Sequence, residues 1–167
     1  MNGLLTVSKP ALTDAALLVL RVGVAVVFIA HGYGDVFEAG VTTNMQNYRD
    51  AGIPLATVAA PFAAYIQLFG GILFALGALT RLIGVGFIIV MAGALLFVHL
   101  GESLVMGQDG SGSGFAFIMC VASIALVLQG PGRFSLDRII ADRRRPGLSG
   151  ATPSAEGVRE GVARPPR

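Results

Sequence analysis

The sequence predicts an all-α fold, an integral membrane bundle of four helices, and two observations lead to it. Of the 167 residues, 54% are hydrophobic and only 13% are charged, with a mean hydropathy of +0.73. Soluble proteins carry about a quarter charged residues, and a chain this short has too much surface to bury so many apolar side chains in one core. The apolar residues also gather in four separate segments. We therefore expect residues 1–130 to form a four-span transmembrane domain in lipid.

The first span is predicted over about residues 12–31. Its apolar run is interrupted by a single charge, Arg21, and its length approaches the roughly 20 residues that a helix needs to cross the hydrocarbon core. The same run imitates a secretory signal sequence, but Phe28 stands where a cleavage site needs a small residue. We therefore expect this helix to be retained.

Spans two to four are predicted over about residues 57–79, 82–100 and 113–129. Only Thr80-Arg81 separates the second span from the third, so these two should form a tight antiparallel hairpin. The fourth span is short, and it needs the residues at both ends of its range to reach the roughly 17 that the hydrocarbon thickness demands.

The positive charges lie on one side of the predicted spans, which indicates the orientation of the chain. Both termini of a four-span bundle share a side. That side carries seven Lys and Arg residues near the helix ends, whereas the other side carries Arg49 alone. Cytoplasmic loops are enriched in Lys and Arg. We therefore expect a multi-pass protein of the bacterial plasma membrane with its N- and C-termini in the cytoplasm.

Residues 131–146 are predicted to form a basic amphipathic segment at the membrane surface. Apolar residues are mixed with charges there, and the segment ends in Arg143, Arg144 and Arg145, a cluster suited to anionic lipid headgroups. The Gly, Ser, Pro and Glu content of residues 147–167 is typical of a disordered tail, which we place in the cytoplasm. The sequence pI is near 9.1, but no surface pattern of aromatic and basic residues accompanies it, so nucleic acid is not an expected partner.

The polar side chains of Arg21 and Gln67 fall deep inside the predicted spans. Arg21 should lie roughly 12 Å above the cytoplasmic end of its helix, and Gln67 roughly 18 Å above the same end. A charge inside a membrane is costly, so it marks a functional candidate. The favoured interpretation is structural: Arg21 donates to Gln67, donates to backbone carbonyls near a glycine pair in the second span, or extends to the membrane surface.

Small residues within the second span predict close helix packing. Such residues let two helix backbones approach each other, and the glycine pair in mid-span indicates that another helix crosses there. Packing within one chain is the favoured interpretation, and a homodimer face is the alternative. The residues concerned are Gly70, Gly71, Ala75 and Gly77.

The two histidines are predicted at matching depth, each about 26 Å along its helix from the cytoplasmic end, at the outer interface. Protonatable residues lie nearby, with Tyr33 and Asp35 after His31 and Glu102 after His99. Ordinary interfacial hydrogen bonding is the favoured interpretation. The alternatives are a quinone or proton site, a metal site and, least favoured, a haem. No cofactor is firmly assigned, and no metal ligand is named.

Several short motifs, taken in order, are similar to those of a known family. They begin with Arg21 in the first span and Phe28 with His31-Gly32 at its end, and they close with His99 at the end of the third span. Between these come Gly52-Ile53-Pro54, Gly70-Gly71, Gly77 and Leu79-Thr80-Arg81. Over about residues 16–100, the chain resembles the DoxX family.

Resemblance to DoxX implies a small four-helix membrane protein linked to redox or oxidative-stress assemblies, since the family takes its name from a subunit of an archaeal thiosulfate:quinone oxidoreductase. This chain departs from the family pattern at two positions. Gln67 stands where relatives usually carry an acid, and Asp35 stands where many carry Lys. The first departure removes the expected carboxylate partner of Arg21, and the second reverses the charge of the outer pocket.

We therefore expect a non-catalytic membrane subunit or scaffold of a quinone-linked or thiol and oxidative-stress redox complex, with redox enzyme subunits as partners. The sequence holds no Ser-His-Asp arrangement, HExxH or GxGxxG motif in a suitable context, so no catalytic residue is assigned. If the protein takes part in electron transfer, quinol should bind between the outer ends of the first and third spans, with His31 and His99 as hydrogen-bond partners. A small-solute or anion transporter and a lipid-associated structural protein are the alternatives.

Overall fold

The computed structural model describes residues 10–105, 107 and 111–144. Within these residues the chain forms seven α-helices and three π-helical segments, in which the backbone hydrogen bonds reach one residue further along the chain. The α-helices are α1 (Pro10–Tyr33), α2 (Val41–Asp50), α3 (Ala56–Tyr65), α4 (Gly71–Leu76), α5 (Thr80–Gly93), α6 (Gly114–Gln129) and α7 (Leu136–Arg143). The π-helical segments are π1 (Gly34–Glu38), π2 (Ile66–Gly70) and π3 (Ala94–Val98). The predictions for Arg145 and for residues 147–167 lie outside the described residues.

Three continuous helices in the described part of the chain are long and apolar enough to cross a membrane. The first joins α1 to π1, the second joins α3, π2 and α4, and the third joins α5 to π3, with the ranges Pro10–Glu38, Ala56–Leu76 and Thr80–Val98. The helix α6 is apolar but shorter, and it packs against α5. The predicted all-α membrane bundle is thereby confirmed.

The first span is longer than the sequence predicts, and a further helix follows it. The prediction ended at residue 31, where the apolar run stops, but the hydrogen-bonded backbone continues through π1 to Glu38. The helix α2 then occupies a stretch that the sequence leaves as a loop, because its ten residues are mostly polar and carry no apolar period. It packs beside α3, so the connection between the first two spans is itself structured.

Three phenylalanines from different helices form the centre of the core. Phe28 of α1 stacks on Phe87 of α5 with 3.7 Å between the ring centroids. Phe74 of α4 meets the same ring edge-on, with its centroid 5.1 Å away. None of the three is more than 1% exposed. Aromatic pairs add about 0.5–1.5 kcal/mol beyond the area they bury, so this cluster fixes α1, α4 and α5 relative to one another.

The backbone of α1 lies directly against that of the second span. A Cβ on Gly32 would lie 2.8 Å from the Cα of Leu68 and 2.9 Å from the carbonyl carbon of Gln67. A Cβ on Gly71 would lie 2.6 Å from the Cγ1 of Ile29. Two glycines, one on each side, therefore allow the contact, and it coincides with π2.

The turn between the second and third spans consists of residues 77–79, just before the predicted Thr80-Arg81. Gly77 and Leu79 both have a left-handed backbone conformation, with φ of +70° and +51°. Helices often end on a glycine of this kind. A Cβ on Gly77 would also lie 2.8 Å from the Cα of Ser135, so the turn touches the segment that precedes α7.

The segment after α6 folds back against this end of the bundle, where Arg21 holds it. Nη1 of Arg21 donates to the carbonyl oxygen of Pro131, and Nη2 donates to that of Phe134. Arg21 is only 2% exposed, and the planar guanidinium suits two acceptors at once. Arg21 therefore bonds the connection between α6 and α7, and it makes no described bond to Gln67 or to carbonyls near the glycine pair, as the sequence had suggested.

Asp137 of α7 ties the same segment to the start of α5. Its Oδ1 accepts from the backbone N–H of Leu79 at 2.8 Å, and its Oδ2 accepts from that of Thr80 at 3.0 Å. The backbone N–H of Asp137 donates in return to the carbonyl of Gly77 at 2.9 Å. The first N–H groups of a helix have no partner within it and attract negative charge. The side chain of Leu79, at the N-cap position of α5, cannot accept a hydrogen bond. Asp137, far along the chain, therefore caps this helix.

The helix α7 itself lies where the sequence predicts a short amphipathic segment. Ser135 begins it, because its Oγ accepts from the backbone N–H of Arg138 at 3.2 Å. Apolar and basic side chains share its exposed surface, as in helices at a boundary between lipid and water. The exposed residues of this region include Phe134, Ile139, Ile140, Arg143 and Arg144.

We expect the variant Arg21→Met to lower the free energy of unfolding by roughly 1–3 kcal/mol, because it removes a buried side chain that donates to two partly buried carbonyls. Unfolding with sodium dodecyl sulfate in mixed micelles, followed by circular dichroism, measures this quantity. Arg49→Met is the matched control, since Arg49 is exposed and, within the described residues, donates to the exposed side chain of Gln46 at 3.3 Å. Equal unfolding free energies for the two variants would contradict the role given to Arg21.

Candidate functional site

A cavity of about 380 Å³ lies at the end of the bundle opposite α7, between α1, α2, the second span and the third. Small-molecule sites in proteins usually have volumes of roughly 300–1,000 Å³. Most of the wall consists of aliphatic and aromatic residues of α3 and α5 together with π3. The polar side chains in the wall are His31, Asp35, Asn47, Tyr48 and Gln67.

All three π-helical segments of the described chain border this cavity. π1 contributes Asp35, π2 contributes Gln67, and π3 contributes Ala94 and Val98. A π-helical turn interrupts the regular spacing of an α-helix and changes the direction in which side chains point, and such turns occur frequently at functional sites. The irregular parts of the three spans therefore meet at one place.

Asp35 is held between three elements. Nε2 of Gln67 lies 3.5 Å from Oδ2 of Asp35, a distance at the outer limit of a hydrogen bond. Nδ2 of Asn44, which is buried in α2, donates to the backbone carbonyl of Asp35 at 3.0 Å. A carboxylate can accept about four hydrogen bonds, so its contacts with Gln67 and with the side chain of Asn44 use only part of its acceptor capacity.

His31 lies beside this pair and presents one ring nitrogen for further bonding. Its Nδ1 lies 2.9 Å from the carbonyl oxygen of Val27, and a carbonyl only accepts, so Nδ1 carries the hydrogen. In the neutral ring Nε2 is then an acceptor. The ring of Phe115 in α6 stacks against His31 with 5.8 Å between the centroids, which orients the imidazole.

Tyr48 brings a phenol from α2 into the wall of the cavity. Burial raises the pKa of Tyr48 above its ordinary value, and the negative charge of Asp35 raises it further. Tyr48 therefore remains a neutral hydrogen-bond donor at physiological pH. The electrostatic influence of Asp35 on this phenol also agrees with the presence of both groups in one wall.

The structure separates the five outer residues that the sequence grouped together. His31 and Asp35 line the cavity, whereas Tyr33, His99 and Glu102 are not among its lining residues. Nδ1 of His99 lies 2.7 Å from Oε2 of Glu102, and the ring of Tyr33 lies against Phe37 with 5.1 Å between centroids. The expected convergence of both histidines on one ligand is therefore not observed.

The pair formed by His99 and Glu102 closes the connection between π3 and α6. Oε2 of Glu102 also accepts from the backbone N–H of Gly112 at 2.9 Å. This local arrangement fixes the end of the third span. Within the described ranges, no group of three or more His, Cys, Asp or Glu residues could hold a metal ion.

The contribution of α2 to the site was not predicted from the sequence. Asn44, Asn47 and Tyr48 belong to a polar helix without apolar periodicity, so nothing in the pattern distinguished them from loop residues. Their proximity to Asp35 depends on how α2 folds back onto α3. The single available signal was an aromatic residue, Tyr48, inside a polar stretch between two spans.

Comparison with known proteins places the chain in a family. The sequence model of DoxX matches residues 16–100. The chain belongs to the DoxX family. Three relatives of DoxX type, all bacterial, extend the likeness over most of their lengths and over most of this chain. No solved structure gives a significant match.

The relatives are described by name as membrane proteins or as a redox protein. "Putative oxidoreductase CatD" of Bacillus subtilis (strain 168) is 31% identical over 78% of this chain and 90% of its own length. "Uncharacterized membrane protein Rv3486" of Mycobacterium tuberculosis (strain ATCC 25618 / H37Rv) is 30% identical over 77% and 83%. "Inner membrane protein YphA" of Escherichia coli (strain K12) is 30% identical over 83% and 99%. A membrane location for this DoxX protein follows, with lipid as its surroundings.

We expect Asp35→Asn to lower the pKa of Tyr48, because removal of the nearby negative charge makes the tyrosinate more stable. Burial is unchanged, so the pKa should still exceed that of a free tyrosine. The chain has three tyrosines, so the titration uses a Tyr33→Phe, Tyr65→Phe background and follows tyrosinate absorbance against pH.

Asp50→Asn, a change in the same helix as Tyr48, is the control for this titration and should leave the pKa of Tyr48 where it was. A pKa of Tyr48 that is the same in the Asp35→Asn variant and its parent would show that the two side chains do not share one wall.

Proposed function

We propose that this DoxX protein binds the ring of a lipid-soluble quinone in the cavity and serves as a non-catalytic membrane subunit of an oxidoreductase assembly. One observation carries the proposal: five hydrogen-bonding side chains meet in the wall of an otherwise apolar cavity within a membrane bundle, and they are His31, Asp35, Asn47, Tyr48 and Gln67. A quinone has the same two-part character, because polar ring oxygens are attached to a hydrophobic molecule.

The polar groups of the cavity suit both redox forms of such a ring. The amide N–H of Gln67 and the phenol of Tyr48 are donors for the carbonyl oxygens of a quinone. The carboxylate of Asp35 and Nε2 of His31 are acceptors for the hydroxyls of a quinol. A bound quinone supplies two-electron, two-proton redox chemistry, and the chain supplies groups at which protons can be held beside it.

The two acceptors are also placed to exchange protons with water. His31 is exposed and Asp35 is half-buried, and both lie at the end of the first span, where the helix leaves the apolar run. Carboxylate and imidazole side chains serve as proton relays in membrane proteins. In this proposal Asp35 and His31 accept protons from the ring hydroxyls and pass them to the nearby aqueous side.

The wall of the cavity reaches the lipid-facing surface of the bundle. Phe62 of α3 and Ile89 of α5 both line it and are 42% and 57% exposed. A ligand dissolved in the membrane can thus reach the site between these helices without crossing water. This supports a lipid-borne ligand over an ion or small solute. Arg21, a charged side chain that could attract a transported anion, lies at the opposite end of the bundle and bonds to backbone carbonyls there.

Similarity to a relative named as an oxidoreductase supports a role within a redox assembly. No catalytic motif of the kinds found in soluble enzymes was assigned from the sequence. The polar residues that line the cavity are hydrogen-bonding groups, and no Ser or Cys nucleophile is among the described lining residues. In the proposed assembly a partner subunit delivers or removes the electrons, and this chain holds the quinone ring in the membrane.

We further propose that α7 faces the cytoplasm and the cavity lies toward the outer side. The positive-inside rule supports this orientation, because Arg81, Arg133, Arg138, Arg143 and Arg144 lie at the α7 end and Arg49 lies at the other. In a Cys120→Ala background, an impermeant maleimide should label Arg49→Cys in intact cells and label Arg144→Cys only after lysis. The reverse pattern would overturn the orientation.

We expect Gly93→Leu to weaken benzoquinone binding by about tenfold or more, the equivalent of about 1.4 kcal/mol. Gly93 lines the cavity, and nothing lies within 4 Å of a Cβ placed there, so a leucine would occupy the cavity without a clash. Isothermal titration of the protein in lipid nanodiscs with a short-tailed benzoquinone measures the affinity.

Gly23→Leu is the matched control, because Gly23 lies in α1, is exposed and also has nothing within 4 Å of its added Cβ. The same titration distinguishes the two histidines: His31→Ala should reduce the affinity for the benzoquinone, and His99→Ala should not. Equal quinone affinities of Gly93→Leu and Gly23→Leu would contradict a quinone site in the cavity.

A further inference from the structure

A long apolar groove of about 700 Å³ runs over the lipid-facing surface beside the cavity. One side of it is formed by the second span, from Thr57 to Leu73, and the other by the turn and the first part of α5, from Leu79 to Ile83. Its wall is almost wholly hydrocarbon. At 1.5 Å per helical residue, the part between Phe62 and Leu73 is about 16 Å long, roughly half of the hydrocarbon thickness of a membrane.

Phe62 is the residue that the groove and the cavity share among the described residues. A Cβ on Gly86 would lie 3.8 Å from the ring tip of Phe62, so this ring rests against α5. Along α5 the groove residues end at Ile83 and the cavity residues begin at Ile89. Gly86 lies between them, and Phe62 therefore stands at the junction of the two spaces.

We propose that the cavity and the groove form one composite site for a lipid that has a ring head and a long hydrocarbon tail. The inference rests on the proposed function and narrows its ligand class to long-tailed quinones. The ring occupies the cavity beside Asp35 and Gln67, and the tail passes Phe62 and lies in the groove toward the turn before α5. A shared wall residue, Phe62, links this groove to the polar cavity, whereas an ordinary lipid-facing surface has no adjoining place for a headgroup.

The direction of the groove is a second argument for this occupant. The tail of a membrane quinone must remain in hydrocarbon while its ring reaches the polar groups near one surface. From Phe62 the groove runs away from His31 and toward Leu79 and Leu82, which are 56% and 69% exposed. A tail in the groove would thus extend into the middle of the membrane and beyond, on an apolar wall throughout.

Photolabelling tests the composite site in nanodiscs. The probe is a dodecyl benzoquinone that carries a diazirine at the end of its tail, and the labelled peptides are identified by mass spectrometry. We expect labels on residues 66–83, a reduction of about tenfold in Gly93→Leu but not in Gly23→Leu, and competition by the same benzoquinone without a tail. A dodecyl alcohol with the same diazirine reports the labelling caused by bulk lipid contact.

The outcomes separate the two proposals. Labels that compete with the tailless benzoquinone and decrease in Gly93→Leu, but fall on segments outside the groove, would overturn the composite site and leave the quinone ring in the cavity. Labels that neither compete nor respond to Gly93→Leu would overturn both. If the dodecyl alcohol labels the groove as strongly as the dodecyl benzoquinone, bulk lipid chains occupy the groove, and this result would also contradict the inference.

Discussion

Close contact between two backbones, at Gly32 of α1 and at π2, is the constraint on which the rest of the structure depends. A lipid solvent gives helices no hydrophobic reason to associate, so van der Waals contact and hydrogen bonds must hold them together. Any side chain at Gly32 would overlap the backbone of Leu68. Because Gly32 follows His31 and Leu68 follows Gln67, the same contact brings the imidazole and the amide to one place. The same helix contact therefore packs the bundle and brings polar side chains together in the cavity wall.

The two ends of the bundle differ in how they use their polar groups. At the α7 end, Arg21 and Asp137 form hydrogen bonds with backbone groups. Asp137 binds the turn before α5, and Arg21 binds the connection after α6. At the other end, Asp35 and His31 keep acceptors free beside an empty volume. Hydrogen bonds at the α7 end stabilise the fold, and the cavity at the other end leaves space for a ligand. The three π-helical segments lie around the hollow end and turn side chains into it.

Much of the fold was accessible from the sequence, and much of the site was not. Apolar runs locate the spans because a bilayer imposes hydrophobicity over a fixed length. The resemblance to DoxX could also be seen in the sequence, and the family match over residues 16–100 confirms it. Depth along a helix could not show which residues face one another, so His99 was grouped with His31 although it pairs with Glu102. The partners of Arg21, at Pro131 and Phe134, are more than a hundred positions away in the chain, beyond the reach of any local pattern.

The helical contact at Gly32 can be tested directly by comparing two alanine variants of α1. Gly32→Ala and Gly23→Ala add the same methyl group to the same helix, one against the backbone of Leu68 and one into open space. Unfolding free energy in mixed micelles should decrease by about 1–3 kcal/mol or more for Gly32→Ala, as in an overpacked core. It should be unchanged or slightly higher for Gly23→Ala, since alanine is the better helix former. Equal stability of the two variants would contradict the account.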